Sequence, residues 1–437
     1  MLRIIRLLLL MGLIIAAFIT TIATEAQAAS PRIDVLHVKG TINPVLVDYI
    51  ERGINQAEED NAIACIIQMD TPGGLDTSMR LIIQSMDKAQ IPIVVYIPAG
   101  ARAASAGFFI TIAADVAAMA EDTAIGAAHP VAMGTEGEVA MSEAMEEKVV
   151  NDAVAYAKGI AKAHERNMEW AEKAVREAAS IPAHEALELN VINIVAPNLD
   201  ALISQLDGYE VTMLDGSIVT LHTQGAEINH IKMSWREDFL YTIADPNIAY
   251  ILLSLAMLGI MAEIFNPGLI FPGIVGGICG LLAFYSLGML PVNYAGILLI
   301  VLAFGLFIAE VFTTTFGLFT AGGLTSLIIG SLILFKGGPP YMQVSIPLII
   351  IVALVIGAFF AFVVNRVIRA HRHQATTGRE ELVGKTAIVK VALKPEGTVF
   401  FKGERWTAIS EKGRVEPGEE VIITKVDGLT LYVTKKG

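Results

Sequence analysis

The sequence predicts three structural classes in succession: a layered α/β domain, an all-α transmembrane bundle and a small all-β barrel of the OB type. Three observations predict them. Over residues 30–225, apolar runs of strand length alternate with stretches of helical periodicity, the pattern of a sheet layered with helices. Between 247 and 365, five apolar stretches each have about the length that a bilayer core demands. Over 380–437, five short strand-like runs are separated by Pro- and Gly-containing turns, enough to close a small barrel.

Composition agrees. Of 437 residues, 54% are hydrophobic and only 17% charged, too apolar for an ordinary soluble protein. The formal net charge of −13 argues against non-specific nucleic-acid binding. Cys65 falls in an expected core strand and Cys279 in a membrane stretch, so neither a disulfide nor a zinc site of the usual spacing is expected. No cofactor is implied.

Residues 1–28 carry Arg3 and Arg6, then the apolar run Leu7 to Ile19, then Ala26-Gln27-Ala28. Basic, apolar and small-x-small in that order is a secretory signal, with an uncleaved anchor helix as the alternative. Either way residues 30–235 are expected outside the cytoplasm. There Ile33 to Val38 is a strand, Asn43 to Asp60 a helix, and Ala62 to Met69 a buried strand ending at Asp70-Thr71-Pro72-Gly73-Gly74. Thr77 to Ala89 is a helix, Ile91 to Ile97 a strand, and Ala103 to Ala114 a buried helix. Val116 to Met119 is a strand, succeeded by a turn at Gly126 to Pro130. Ala140 to Asn167 is a long helix, with helices at 169–178 and 183–189 and a strand at 191–195.

Ser105 stands where a strand turns into a helix. Its hydroxyl can face a cleft there, beside free backbone amides and the positive helix end, which suits a nucleophile whose product is an oxyanion. A serine at a helix start is more commonly a cap, so the spacing alone decides nothing. The adjacent junction adds weight. The glycine pair lets amides face a cleft unobstructed, and consecutive βαβ units bring such junctions together at the carboxyl ends of neighbouring parallel strands. Gly73 or Gly74, with Ala106, would then form an oxyanion hole. The base is either His129 or Lys148. Apolar neighbours Ala144 and Met145 suit an uncharged lysine, whereas Asp152, four residues on, would hold it charged. Pattern alone does not choose between them.

The apolar stretches are Ile248–Phe265, Leu269–Leu290, Ala295–Thr313, Phe316–Phe335 and Ile346–Val364. Ala262-Glu263-Ile264-Phe265 recurs as Ala309-Glu310-Val311-Phe312, each copy trailed by a Gly-containing turn and a Gly-rich helix, a weak duplication of a helix pair. Carboxylates at Glu263 and Glu310 are costly in lipid, but both lie near span ends, where structural or interfacial roles are favoured over conduction. The basic flank Arg366 to His373 places the C-terminal domain on the cytoplasmic side, in agreement with five spans; four spans and a re-entrant stretch would reverse this. In the barrel, Phe400, Phe401 and Trp406 with nearby lysines imitate a single-strand-binding face, although core aromatics of a protein-contact module are the plainer reading.

The order of Asp70-Thr71-Pro72-Gly73-Gly74, Ala104-Ser105-Ala106-Gly107, Ile125-Gly126-Ala127-Ala128-His129-Pro130 and Lys148-Val149-Val150-Asn151-Asp152-Ala153 resembles the long form of the NfeD family. These are membrane-bound serine proteases of the ClpP/SppA, or crotonase-like, class, and the resemblance covers nearly the whole chain. It implies a ClpP-like serine protease domain over 30–235, a transmembrane bundle over 247–365 and an OB-type C-terminal domain over 380–437. It also implies a Ser–Lys dyad of Ser105 and Lys148, with His129 the alternative base because ClpP itself uses Ser-His-Asp. Further implications are a stomatin-like (SPFH) membrane partner cleaved in an apolar stretch, a lipid setting and a homo-oligomer. A scaffold for SPFH-rich patches and a channel are the competing classes; the complete motif set favours the enzyme.

Overall fold

The computed structural model describes residues 11, 31–131, 143–268, 270–313, 315, 317–336, 339–372 and 382–436. The leader read over 1–28 lies outside the described residues, apart from residue 11. The chain forms two units, one of residues up to 305 with 323–353, the other of 306–322 with 354–437.

The first unit is built on a six-stranded sheet of β1 (Arg32–Lys39), β2 (Ala64–Asp70), β3 (Ile93–Ile97), β5 (Val116–Met119), β8 (Ile194–Val195) and β11 (Glu227–Ile231). Its order is β11-β1-β2-β3-β5-β8 and every pairing is parallel. Parallel strands are covered on both faces, which explains their nearly continuous apolar runs. Leu36, Ile67 and Val95 face one core; Val35, Ile66 and Val94 face the other. Each such fully buried side chain contributes about 2 kcal/mol by transfer. Helix α1 (Pro44–Glu59) starts where Asn43 accepts the Leu46 amide at 3.1 Å and Pro44 supplies a preset φ. Helix α2 (Asp76–Asp87) comes directly after the glycine pair.

A second, three-stranded sheet of β4 (Arg102–Ala104), β6 (Ala124–Gly126) and β7 (Ser180–Pro182) was not legible in the sequence. Its strands are three residues long, too short for any period, and it pairs segments far apart in sequence. Strand β11 was missed too, for it is half exposed at the sheet edge. Beyond β4 come α3 (Ala106–Ile112), α4 (Glu143–Ala163), α5 (Met168–Arg176) and α6 (Ala183–Glu188). The expected Ala140–Asn167 helix is thus shorter at its C-terminal end. There Glu165 takes a left-handed φ of +54° and Asn167 caps α5 through the Trp170 amide at 2.9 Å.

Arg166, in that same turn, is buried, and its guanidinium donates to the carbonyls of Ile112 (3.0 Å), Ala114 (2.8 Å) and Val191 (3.0 Å). Burial pulls its pKa down to about 10, still well above neutrality. The charge is therefore spent on satisfying orphan carbonyls at the C-terminal end of α3.

Helix α7 (Leu199–Leu206), an antiparallel pair of β9 (Glu210–Thr212) and β10 (Ile218–Thr220), and helix α8 (Trp235–Ile243) complete the domain. Helix α8 is tied to α1 by Arg52, whose Nε and Nη2 each donate to Glu237 at 2.8 Å. Then come α9 (Pro246–Phe265) and α10 (Phe271–Leu287). Their backbones approach so closely that a Cβ on Gly259 would lie 2.7 Å from the Gly276 Cα, which only small residues allow. Among the described residues there are five apolar helices, of which three are long and apolar enough to cross a membrane: α9, α11 (Tyr294–Phe312) and the segment Pro340–Phe362, which runs into α13 (Ile346–Arg372). Helix α10 and α12 (Leu318–Ile333) have 17 and 16 residues, about 25 Å of helix against a core of about 30 Å. Helix α10 is cut short of its apolar run by Pro272 in its first turn and Gly288 as C-cap.

In the second unit, Phe307 and Phe360 stack with centroids 4.3 Å apart. The Glu310 carboxylate accepts the amides of Gly317 (2.7 Å) and Thr320 (3.0 Å). Glu263, in the first unit, accepts Gly268 in the same manner at 3.3 Å. Both carboxylates thus accept backbone amides just past their own helix. The barrel of β12 (Thr386–Val391), β13 (Glu396–Phe401), β14 (Glu404–Ser410), β15 (Glu420–Asp427) and β16 (Thr430–Lys435) is closed in the order β12-β13-β14-β16-β15. Phe401 is buried in its core and Trp406 packs against it, whereas Phe400 is exposed.

Candidate active site

Two backbone junctions make the site. Just past the end of β2, Thr71 bridges Ala103 of β4 in parallel, and Gly74 bridges Ile42. Both glycines are required by space. A Cβ on Gly74 would lie 2.1 Å from the Ile42 carbonyl oxygen. Gly73 has a left-handed φ of +123°, and a Cβ there would lie 2.7 Å from the Ser105 Cβ.

Ser105 caps α3 with φ +54° and ψ −116°, a backbone conformation that costs about 1–3 kcal/mol in a non-glycine residue. Its amide is held by the Gly126 carbonyl of β6 at 2.9 Å. A serine in a strained strand-to-helix turn projects its Oγ away from the chain, the arrangement of a nucleophile elbow. Its side chain makes no cap hydrogen bond, so the ordinary explanation of a serine at a helix start fails here.

The donors sort themselves. Gly73 donates its amide to Thr71 Oγ1 at 3.0 Å, so in this geometry Gly73 contributes close approach rather than a free donor. Among the described residues, the amides of Gly74 and Ala106 carry no hydrogen bond. They are the open pair that an oxyanion needs.

A cavity of about 450 Å³ opens beside Ser105, lined on one side by Ala106 and Phe109 and on another by Val149 and Ala153 of α4. Lys148 precedes Val149 but is itself exposed, and it is not among the lining residues. Asp152, which lines the cavity, is engaged by Arg80 Nη2 at 2.7 Å, and Arg80 also holds Asp76 at 2.9 Å. The carboxylate expected to hold Lys148 charged is thus committed to another cation. His129 lies between two lining residues, Ala128 and Pro130, while its Nδ1 is bonded to the Val175 carbonyl at 2.9 Å. That bond sets Nδ1 as the protonated nitrogen and leaves Nε2 as the basic one.

Sequence reasoning missed three contributors. Thr71 occupies the Gly73 amide, Arg80 neutralises Asp152, and Tyr341 reaches the cavity from the segment before α13. Only Thr71, inside the quoted motif, carried a local signal. Among the described residues, no cluster of three or more His, Cys, Asp or Glu side chains is placed to hold a metal.

Three family profiles match the chain: the N-terminal domain of NfeD1b over 32–231, the NfeD integral membrane domain over 247–366, and the NfeD-like C-terminal, partner-binding domain over 379–435. The chain is 39% identical over 412 residues to the membrane-bound protease PH1510 of Pyrococcus horikoshii, covering 92% of this chain and 93% of the relative. It is 29% identical over 435 residues to the membrane protein NfeD1b of Bacillus subtilis, covering 94% of each. A solved Pyrococcus horikoshii membrane protease specific for a stomatin homolog matches 50% of this chain and all of its own, at 32% identity and a TM-score of 0.43.

Proposed function

This chain belongs to the NfeD family, and from that premise we propose that it is a membrane-embedded serine endopeptidase that cleaves an apolar segment of a stomatin-like (SPFH) membrane partner. Ser105 is the nucleophile. Its proton passes to Lys148 as the oxygen attacks the scissile carbonyl carbon, and the oxyanion that forms is held by the amides of Gly74 and Ala106, with Gly73 shaping the approach. The same lysine then returns the proton to the leaving amine, and water releases the acyl group by the reverse sequence.

The observation that carries this reading is the strained backbone of Ser105, which keeps an uncapped hydroxyl beside two open amides at the mouth of a cavity. General-base action requires an uncharged amine. A bound peptide that covers α4 excludes water there, and the Arg80–Asp152 pair removes the competing anion. The relative named as a protease over nearly its whole length supports the activity, and the match to a partner-binding domain supports a protein substrate. On this reading the catalytic domain is extracytoplasmic, the barrel cytoplasmic, and the protein a homo-oligomer in the plasma membrane.

The test is proteolysis by the full-length chain of an apolar peptide panel. Ser105→Ala is expected to remove activity by about 10⁴-fold or more with the fold retained. Lys148→Ala is expected to remove a comparable share and His129→Ala little. The reverse order for the last two assigns the base to His129. Wild-type protein that neither cleaves nor reacts with a serine-directed probe sinks the enzyme reading.

A further inference from the structure

Part of the cleft wall beside Ser105 comes from outside the α/β domain. Tyr341 sits in a turn of 3₁₀ helix (Pro340–Met342) just ahead of α13 and lines the same cavity as Ser105. A Cβ placed on Gly73 would lie 2.8 Å from the Tyr341 hydroxyl and 3.1 Å from Ser105 Oγ. Both hydroxyls therefore face one patch of backbone.

The turn that carries the ring is held on each side. Pro339 and Pro340 restrict the backbone before it, and the Met342 amide closes the turn on the Pro339 carbonyl at 2.8 Å. Met342 is 2% exposed and lines a second cavity together with Gly40, Leu75 and Tyr241. The Ser345 amide is bonded to Asn247 Oδ1 at 2.9 Å, at the start of α9. By contrast, among the described residues nothing hydrogen-bonds the Tyr341 hydroxyl, although the residue is half-buried. A phenol left unpartnered in a cleft is a group that a ligand satisfies.

Resting on the serine-peptidase reading, we propose that Tyr341 is a specificity-determining residue of the cleft. Its ring is the wall against which a bulky apolar side chain flanking the scissile bond packs, facing Phe109, Val149 and Ala153. Its hydroxyl donates to a backbone carbonyl of the bound peptide. An aromatic ring offers this contact area with only two torsions to freeze. The exported domain and the membrane part thus recognise substrate jointly, with Tyr341 adding one wall to a cleft that the exported domain otherwise forms.

The experiment uses full-length protein in detergent with two readouts: labelling of Ser105 by a small alkyl fluorophosphonate, and kcat/KM for paired peptides with leucine or glycine flanking the scissile bond. Tyr341→Ala is expected to keep labelling within about two-fold while losing about ten-fold or more in kcat/KM on the leucine peptide, so that the leucine-over-glycine preference collapses. Tyr341→Phe, which keeps the ring, is expected to retain the preference and raise KM several-fold; it also covers the case in which the alanine variant fails to fold. Normal labelling with an unchanged preference in Tyr341→Ala overturns the proposal, as does faster cleavage of both peptides, which would mark Tyr341 as a plug. Wild-type Ser105 that does not label overturns the peptidase reading itself, and this inference with it.

Discussion

The turn that carries Ser105 and the helix that carries Lys148 are held in different ways. Around Ser105 the restraints are backbone: its amide on Gly126, Thr71 bridged to Ala103, Gly74 packed on Ile42, and the far end of α3 gripped by Arg166. Around Lys148, in the exposed first turns of α4, they are side-chain charges between α2 and α4, with Arg80 of α2 shared between Asp76 and Asp152 and lying 4.2 Å from the centre of the Tyr156 ring. A nucleophile needs fixed geometry to within fractions of an ångström, whereas a base on a long flexible arm needs the right charge environment. The two halves of the proposed dyad are therefore sensitive to different kinds of damage.

Among changes that leave both dyad residues in place, the largest effect is expected from Gly73→Ala, which attacks the backbone half. A methyl group there would crowd both Ser105 and Tyr341 at a φ that disfavours it, so activity should fall by about 10²-fold or more. Thermal unfolding and peptide cleavage, measured together, check whether activity falls well beyond stability. Arg80→Met addresses the charge half. It releases Asp152 at the i+4 position from Lys148, and an anion beside an amine favours the charged form, so the rise of kcat/KM with pH should move upward. A surface pair of this kind is worth about 0.5 kcal/mol, which translates to a few tenths of a pH unit. An unmoved profile would take the base away from α4 and point to His129.

The smallest effect is expected from Glu237→Gln, which touches neither half. Burial pushes the Glu237 carboxyl upward, but Arg52 and the Ser234 bonds outweigh it and bring it down to about 2 from its usual 4.5. A depressed carboxyl contributes stability that is complete above about pH 4.5 and is lost as pH falls toward 2. With the pair partly exposed the contribution is about 1 kcal/mol or less. Unfolding of wild type and variant monitored from pH 7 downward should show curves that differ at neutrality and converge near pH 2, with cleavage at neutral pH unaffected.

Much of this was written locally in the chain. The five barrel strands, the parallel strands other than β11 and the Ser105 junction each carry their own periodicity or turn residues, so short windows suffice to find them. The minor sheet, β11 and Tyr341 were not legible, for one shared reason: their meaning lies in a partner distant in sequence. Three-residue strands acquire their pairing only from the fold, and a tyrosine after two prolines has no local mark of an active-site residue. Gly73 and Gly74 were read as interchangeable amide donors. Their difference depends on the Thr71 hydroxyl, whose orientation no spacing rule supplies.

Strand β1 lies between β11 and β2, with all three running the same way. The chain enters β1 at Arg32, while the route toward the apolar helices departs from β11 at Ile231. Eight residues of strand, about 26 Å, separate that arrival point from the edge on which the chemistry is placed. A pull or a cut at that arrival point therefore acts on the remote edge of the domain. The amino-terminal end of β1 is mechanically insulated from the cleft, whereas the cleft shares its edge with the descent toward the apolar helices.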